Sequence, residues 1–403
     1  MLIIHLFVKI DKKILFFFLF KFSLLILVIN ICNHDLEVKI LSNKITYNNE
    51  YNFTNINSIY ALLNEKEIDH NKVLIFETFT YHYECTPGFS KYFIDLGYNV
   101  DIIMNDIGLS SFFLFEDISK IRFFIYNNIR DIEKYTKYLS LIFINYNYIL
   151  VETANPNLVT LYKSLNLINI NNTFFVFHHC EYLKEISKYI TLRKKQKWSL
   201  GNFTNWIQVN PHYFGKVFKN KKNKNKITRF FITSTIGRNY DYLISAIESI
   251  KEEGLQFQII VVGKWNTFTE YNISDKVKDY FTFKYNIPYS ELFDEVNNSD
   301  FIIINLDPLN LNDNAFKTTR VTGSAQLVYG FLKPAIINEK FASIYNLNSY
   351  NSFIYKNSNF KDIMRNAILQ KNKYYQLMKD NLAKSADYIY KVSLENVNNC
   401  MNK

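Results

Sequence analysis

The chain has 403 residues, of which 48% are hydrophobic, with 36 phenylalanines and 30 tyrosines. This length exceeds the size at which one hydrophobic core stops growing, and this apolar content is too high for a disordered chain, so the sequence predicts two globular domains. The net charge of +10 suits anionic partners, but no zinc-finger, ribonucleoprotein or helix-turn-helix signature accompanies it, so nucleic acid is not an expected partner.

The N-terminal stretch 14–32, ILFFFLFKFSLLILVINIC, is almost wholly apolar. It is long enough to cross the hydrocarbon core of a bilayer, about 30 Å thick, so residues 1–33 are expected to form a membrane anchor or an interfacial helix. A buried segment and a misassigned start codon are the alternatives. Because Lys9, Lys12 and Lys13 precede the stretch, the positive-inside rule favours a cytoplasmic N-terminus and would send the body across the membrane. Nucleotide sugars are cytoplasmic in bacteria, so either the segment lies in the membrane interface or the host has a Golgi-like lumen, and the orientation stays open.

A first block, 67–215, alternates short apolar runs with segments of helical period. This is the pattern of parallel strands joined by crossover helices, so the block is expected to form one doubly wound domain. Strands are predicted at 72–78, 99–104, 121–126, 146–152 and 173–179, with a helix at 87–97. The lysine-rich segment 216–228, KVFKNKKNKNKIT, has no apolar periodicity and is expected to be a basic linker.

A second alternating block, 229–375, repeats this pattern, and residues 376–403 are expected to end the chain as a helix. The strands are predicted at 229–234, 257–263, 279–285, 300–306 and 334–338. The helices are predicted at 239–253, 289–298, 323–332, 359–373 and 376–395.

Four segments of the second block, IGRNYDYLISAIESI, IIVVG, SDFIIIN and GSAQLVYGFLKPAIIN, resemble in their order the donor-binding half of GT-B glycosyltransferases of the group 1 superfamily. The segment 76–103, FETFTYHYECTPGFSKYFIDLGYNVDII, resembles the start of a GT-B acceptor domain. The resemblance implies an α/β fold of two doubly wound Rossmann-like domains that face a cleft. It also implies transfer of a sugar from a nucleoside-diphosphate sugar to a hydroxyl of a glycan or lipid-linked acceptor, with no cofactor beyond this co-substrate.

Two cations are candidate donor ligands. Arg238 matches the basic residue that meets the donor diphosphate in this family, and the planar guanidinium fork pairs well with phosphate oxygens. Lys264 follows a predicted strand, at the end where open α/β sheets bind ligands, and is a candidate second phosphate contact. The alternative for each is a surface cation near a loop.

The start of the predicted helix 323–332 is the other candidate donor site. Thr322, Gly323 and Ser324 open this helix, so its free N–H groups and its dipole are expected to face the donor phosphates. The alternative is a helix cap without a ligand. The best-known retaining branch of the family carries paired glutamates here, but this chain has Lys317 and Ala325 at those spacings. Ser324 or Gln326 is therefore expected to contact the donor ribose, and the stereochemical outcome stays open.

His82 and Glu84 follow the first predicted strand of the first block and are the candidate catalytic pair. Imidazole suits a general base that takes a proton from the acceptor hydroxyl, and a neighbouring carboxylate can orient it. His178, His179 and Glu181 lie at the end of the strand at 173–179 and are expected at the edge of the cleft. One of the two histidines is expected to contact acceptor or donor, and the alternative is a structural histidine with its hydrogen bonds satisfied. Adjacent histidines on a strand face opposite sides, so no metal site is predicted from them.

Several signatures are missing from the sequence. No D-x-D motif of the metal-dependent GT-A enzymes is present, since Asp307 and Asp313 are too far apart, and the absence of GxGxxG and GxxxxGK[ST] argues against dinucleotide oxidoreductases and P-loop NTPases. A nucleotide-sugar epimerase of the same fold and a catalytically silent, membrane-tethered sugar-binding protein stay open as alternatives. Because bacterial nucleotide sugars are cytoplasmic, the catalytic body is expected in the cytoplasm at a membrane.

Overall fold

The structure is a computed structural model that describes residues 56–64, 71–79, 82–201, 206–216, 227–234, 238, 240–263, 275–369 and 371–402. The predicted anchor 1–33, most of the predicted linker 216–228 and Lys264 lie outside the described residues. Within the described ranges, no helix has the length and apolar character needed to span a membrane. The predicted domain bounds stay predictions.

Strands of the first half form an eight-stranded parallel sheet among the described residues. They are β1 (Ile56–Ser58), β2 (Lys72–Phe76), β3 (Asn99–Asn105), β4 (Ile121–Tyr126), β5 (Tyr148–Val151), β6 (Thr173–Phe177), β7 (Lys197–Ser199) and β8 (Ile207–Gln208). Their order is β1-β4-β3-β2-β5-β6-β7-β8. The central strands are buried on both faces, which explains why they read as continuous apolar runs.

Helices connect these strands. They are α1 (Ile59–Leu62), α2 (Thr86–Asp95), α3 (Ile129–Lys134), α4 (Thr136–Phe143), α5 (Val159–Ser164) and α6 (Glu181–Ser187). Pro87 lies in the first turn of α2, where its missing N–H costs no helical hydrogen bond. Asn128 begins α3 with a capping box to Asp131.

A second parallel sheet has six strands among the described residues, in the order β11-β10-β9-β12-β13-β14. These strands are β9 (Thr228–Ser234), β10 (Phe257–Gly263), β11 (Phe281–Tyr285), β12 (Phe301–Ile304), β13 (Ala335–Asn338) and β14 (Ser352–Tyr355). The helices of this half are α7 (Asp241–Glu252), α8 (Tyr289–Asn298), α9 (Leu311–Asn314), α10 (Gly323–Phe331), α11 (Glu339–Ala342), α12 (Phe360–Leu369) and α13 (Lys371–Met401).

The strand order reverses at one place in each sheet. In the first sheet β2 lies between β3 and β5, and in the second β9 lies between β10 and β12. Crossover helices leave in opposite directions at such a switch point, so a crevice opens at the carboxyl ends of these strands, and open α/β sheets bind their ligands there. The two halves therefore have the doubly wound architecture that the sequence predicts.

The predicted elements agree with the structure except at some of their ends. The helix predicted at 289–298 is confirmed over its full length as α8. The strand predicted at 173–179 ends at Phe177, because the chain leaves the sheet and Cys180 N donates to Thr319 O at 2.9 Å. The short strands β1, β7, β8 and β14 were not predicted, since two to four residues carry too little periodicity.

The last helix, α13, packs against both halves. Leu382 joins the apolar core of the second half, whereas Val397 joins that of the first, and both are fully buried. Each such side chain stabilises the fold by about 1.5–3 kcal/mol relative to exposure. Near the chain end, Tyr148 Oη donates to Met401 O at 2.8 Å, so the helix fastens the two halves together.

Candidate active site

The loop after β2 carries His82, whose ring is held by stacking. The His82 ring stacks on the His178 ring, with 3.8 Å between the ring centroids and 17° between the ring planes. It also stacks on the Phe79 ring, with 5.8 Å between the centroids. His82 Nδ1 is 3.7 Å from Glu84 Oε1, which is longer than a hydrogen bond. Ring packing therefore positions this imidazole, and the carboxylate acts on it through charge.

His178 lies beneath His82 and is buried, with 7% of its surface exposed. Burial lowers the pKa of His178 well below its usual range, so the ring is neutral. Its Nε2 lies 3.2 Å from the main-chain oxygen of Glu152, which assigns the proton to Nε2 as the donor. The His178 ring is thus a fixed neutral platform under His82, and the contact to acceptor or donor suggested by the sequence stays a prediction.

Glu84 reaches across to the second half. Its Oε2 accepts a 2.8 Å hydrogen bond from Tyr289 Oη at the start of α8. Its Oε1 lies 3.6 Å from the point that a Cβ atom on Gly323 would occupy. The carboxylate of the predicted catalytic pair therefore lies at the N-terminus of α10, the predicted donor site.

The first turn of α10 is the predicted donor site. Thr322 caps the helix in an extended conformation, and its hydroxyl makes no capping bond to the N–H groups of this turn. The N–H of Ala325 donates to Thr322 O at 3.1 Å. Ser324 Oγ and Thr233 Oγ1 lie 2.5 Å apart. Gln326 is buried, accepts from Cys85 Sγ at 3.4 Å, and has no partner for its Nε2 among the described residues.

Arg238 follows β9 at the switch point of the second sheet and is buried in an ion pair with Asp313. Its guanidinium also lies over the Phe316 ring, 4.7 Å from the centroid. Burial raises the pKa of Asp313, and the charge of Arg238 opposes that rise. Asp313 Oδ2 also accepts from Asp307 N at 2.9 Å, so these two aspartates meet in space although they form no D-x-D motif.

His179 and Glu181 lie apart from the His82 ring stack. The His179 ring stacks on Tyr182, with 4.9 Å between centroids, and burial lowers its pKa to about 4. Glu181 forms an exposed ion pair with Arg320 at 3.4 Å. This segment joins the first half to the loop before α10. The rings of the two adjacent histidines stack on different partners, His178 on His82 and His179 on Tyr182.

Two glutamates at this edge were not singled out from the sequence. Glu77 and Glu152 directly follow the neighbouring strands β2 and β5, and both side chains are fully buried. An acidic residue directly after an apolar strand was the available signal. Both were instead included in the predicted strands, Glu77 as the second-to-last residue of 72–78 and Glu152 as the last residue of 146–152. Among the described residues, no group of three His, Cys, Asp or Glu side chains is arranged to hold a metal ion.

No protein-family model and no curated protein matches the chain. Among solved structures it is similar to an alpha-glucosyltransferase, AGT, in complex with UDP, with a TM-score of 0.53 and 10% identity over 82% of this chain and 100% of that chain. It is also similar to a glycosyltransferase from Rickettsia africae, with a TM-score of 0.47 and 16% identity over 83% of this chain and 97% of that one. For the S. aureus MnaA–UDP structure the TM-score is 0.47, with 10% identity over 77% of this chain and 91% of that chain. The likeness to AGT confirms the GT-B-type fold implied by the sequence.

Proposed function

We propose that the protein is a glycosyltransferase that moves a sugar from a nucleoside-diphosphate sugar to an acceptor hydroxyl of a glycan or glycolipid. The observation that carries the proposal is the approach of the His82 loop to the N-terminus of α10, where Glu84 Oε1 lies 3.6 Å from the Cβ position of Gly323. In this proposal His82 is the base and the N-terminus of α10 is the anion-binding site, and the Glu84 contact brings their two elements together. The similar fold of a glucosyltransferase solved with UDP supports a nucleotide donor.

In this proposal the donor diphosphate binds at the first turn of α10. Gly323 lets the phosphate oxygens approach the main chain, and the free N–H groups with the helix dipole favour their charge. Arg238 supplies a positive charge once the diphosphate replaces Asp313 as its partner. These groups neutralise the leaving group without a metal ion in the proposed mechanism.

In the proposed reaction the anomeric carbon of the sugar is transferred from a diphosphate oxygen of the donor to the hydroxyl oxygen of the acceptor. His82 accepts the proton of the acceptor hydroxyl, the acceptor oxygen bonds to the anomeric carbon, and the bond from that carbon to the diphosphate oxygen breaks. The bonding electrons leave with the nucleoside diphosphate, whose charge the N–H groups and Arg238 stabilise. Glu84 stabilises the imidazolium that forms, since its carboxylate is 3.7 Å from His82 Nδ1.

The test is acceptor-dependent release of nucleotide. The full chain is incubated with UDP-, GDP- and ADP-linked sugars and a panel of glycan and glycolipid acceptors, and free nucleotide and product are followed by mass spectrometry. We expect one donor class to react, and we expect His82→Asn to lower kcat by about 10²- to 10⁴-fold with little change in donor affinity. Unchanged turnover in His82→Asn would remove the histidine from the mechanism.

A nucleotide-sugar epimerase is the second candidate, because Glu77 and Glu152 supply a carboxyl pair at the switch point of the first sheet. Both side chains are fully buried, which favours the transferase, since an epimerase needs its acid and base in contact with the sugar. The same incubation separates the two, because an epimerase converts the sugar nucleotide without any acceptor. A catalytically silent binding protein would bind the donor weakly or not at all and release no nucleotide.

We further propose that the protein works at a membrane with its catalytic body in the cytoplasm. This proposal rests on the apolar segment 14–32, which lies outside the described residues. Fractionation of cells that express the full chain or a chain starting at residue 34 tests it. The proposal predicts that only the full chain sediments with membranes.

A further inference from the structure

Glu77 and Glu152 lie side by side at the carboxyl edge of the first sheet. The strands β2 and β5 are paired in parallel, with Phe76 opposite Val151, so the two glutamates are the next residues in register. Neighbouring strands are about 4.8 Å apart, which brings the two side chains close together. Both are completely buried, and the pair lies at the switch point beneath the candidate site.

The hydrogen bonds of the pair bracket the loop that carries His82. Glu77 Oε1 accepts from the main-chain N–H of Phe79, whose ring stacks on His82, and its Oε2 accepts from Thr153 Oγ1 at 2.6 Å. Glu152 Oε1 accepts from Thr86 Oγ1 at 2.9 Å, where the loop enters α2. The two carboxyl groups therefore hold the start and the end of this loop.

The backbone of Glu152 contributes a third support. Its main-chain oxygen accepts from Nε2 of His178, the ring on which His82 is stacked. Glu152 Oε2 has no hydrogen-bond partner within the described part of the chain. An oxygen without a partner in a buried site suits the protonated form of a carboxyl group, because a buried carboxylate needs donors to both oxygens.

Burial raises the pKa of both carboxyl groups, and their interaction gives them different charges. Burial raises the pKa of Glu77 to about 7, although the hydrogen bonds from Thr153 and Phe79 oppose the rise. Burial and the neighbouring Glu77 raise the pKa of Glu152 well above its usual range. Glu152 therefore keeps its proton at a pH at which Glu77 is already ionised. This difference is expected when two carboxyl groups interact in a buried site.

Other titratable groups face this pair from the surrounding elements. His82 and Glu84 belong to the same loop and act on Glu77 through their charges, in opposite directions. The remaining groups are neutral near pH 7, because burial raises the pKa of each thiol and phenol and lowers that of the histidine: Tyr83, Cys85, Tyr126, Tyr162 and His178.

We infer that Glu77 and Glu152 form a carboxyl pair that holds one proton, on Glu152, and one negative charge, on Glu77, and that positions His82 from beneath. The inference rests on the proposed function only for the role of His82 as the base. Neither glutamate touches substrate, so both are positioning residues. The buried charge stabilises the imidazolium that forms when His82 takes the proton of the acceptor hydroxyl.

Infrared spectroscopy detects the proton directly, through the C=O stretch of a buried carboxylic acid in D2O. At about pH 8, where exposed carboxyl groups are ionised, we expect the wild-type chain to show this band. Glu152→Gln removes the band, Glu77→Gln retains it, and Glu116→Gln, a control at an exposed glutamate, also retains it. A wild-type chain without the band, or a Glu152→Gln chain that keeps it, overturns the inference.

The charge is read from the ring-proton chemical shifts of His82 at about pH 8, assigned by the loss of these signals in His82→Gln. Glu77→Gln removes a charge that acts on this ring, so we expect these chemical shifts to change. Glu152→Gln removes no charge, so we expect them to stay as they are in the wild type. A purely structural role would give the same result for both isosteric variants, and this outcome contradicts the inference.

The wild-type infrared spectrum requires no variant. Even if a substituted chain fails to fold, the presence or absence of the band in the wild type still tests the carboxyl pair. Neither readout uses a substrate. A chain without transferase activity but with the band and the His82 shift would overturn the proposed function and retain the carboxyl pair. An active transferase that lacks the band would support the proposed function and overturn the carboxyl pair.

Discussion

Tyr289 Oη donates a 2.8 Å hydrogen bond to Glu84 Oε2, and so the phenol of one half holds a carboxylate of the other at the N-terminus of α10. In the proposed mechanism the donor diphosphate binds at this helix end. The carboxylate and the diphosphate are both negative, so they repel one another across the first turn of α10. The Glu84 carboxylate is thus an internal anion beside the position proposed for the donor.

Glu84→Gln removes this repulsion and keeps the shape of the side chain. We expect donor affinity to rise about threefold to tenfold, on the order of 1 kcal/mol, while kcat falls because the imidazolium of His82 loses its carboxylate. Isothermal titration with the reacting nucleoside diphosphate and steady-state kinetics measure the two effects. Glu185→Gln, at an exposed glutamate of α6, is the matched control and should change neither.

Arg238 is expected to serve the fold as well as the donor. Arg238→Ala leaves Asp313 buried and unpaired, which should lower the free energy of unfolding by about 3–5 kcal/mol. Arg238→Ala with Asp313→Ala should recover much of this loss, because no isolated charge stays buried. Urea unfolding of the wild type, both single variants and the double variant gives the coupling energy, and additive losses would show that the ion pair contributes nothing.

Asp313→Asn tests the same pair from the ligand side. If the diphosphate replaces Asp313 as partner of Arg238, removing the carboxylate charge frees the guanidinium, and donor affinity should rise severalfold, by on the order of 1 kcal/mol. Titration calorimetry with UDP, GDP and ADP measures it. Weaker binding by a folded Asp313→Asn variant would mean that the aspartate itself contacts the donor.

His212 should make the fold sensitive to acid. Its Nδ1 and Nε2 each lie 3.2 Å from a carbonyl oxygen, of Asn210 and Ala386, which favours the charged ring, but burial dominates and lowers its pKa to about 4. The unfolded chain, with an ordinary pKa of about 6.5, takes up the proton first. Stability is therefore present above pH 6.5 and is lost as pH falls toward about 4, by on the order of 3 kcal/mol.

Chemical unfolding at several pH values checks this dependence. His212→Gln does not titrate and keeps one donor for a carbonyl, so we expect its free energy of unfolding to fall less steeply between about pH 6.5 and pH 4. Some slope should persist, because burial also lowers the pKa of His178. An unchanged slope in His212→Gln would show that the charged ring is accommodated in the folded state.

The sequence predicted the fold better than it predicted the site. Long apolar runs and helical periods report burial directly, so the central strands and α8 were found near their true bounds. The candidate residues His82, Glu84 and Gly323 were also predicted, and the structure brings them together. Their contact depends on packing between residues far apart in the chain, which no local pattern encodes.

The partners of the predicted residues were harder to foresee. Asp313 was considered only as part of a missing metal motif, yet from α9 it forms an ion pair with Arg238, which follows β9. The stacking of His178 under His82 depends on the pairing of β2 with β5 and of β5 with β6, which no local sequence pattern shows. Glu77 and Glu152 acquire their properties from burial, which a strand end in sequence does not reveal.

The central claim is that a nucleoside diphosphate binds at the N-terminus of α10, and Gly323→Ala tests it most directly. The added methyl group would lie 3.6 Å from Glu84 Oε1, an ordinary contact, so the fold should tolerate it while the methyl obstructs close approach of a phosphate. Isothermal titration calorimetry of the wild type and Gly323→Ala with UDP, GDP, ADP and CMP is the measurement. We expect one diphosphate to bind the wild type and to lose about tenfold in affinity in an equally stable variant, on the order of 1.4 kcal/mol. No binding of any diphosphate by the wild type, or equal affinity in the variant, would contradict the account.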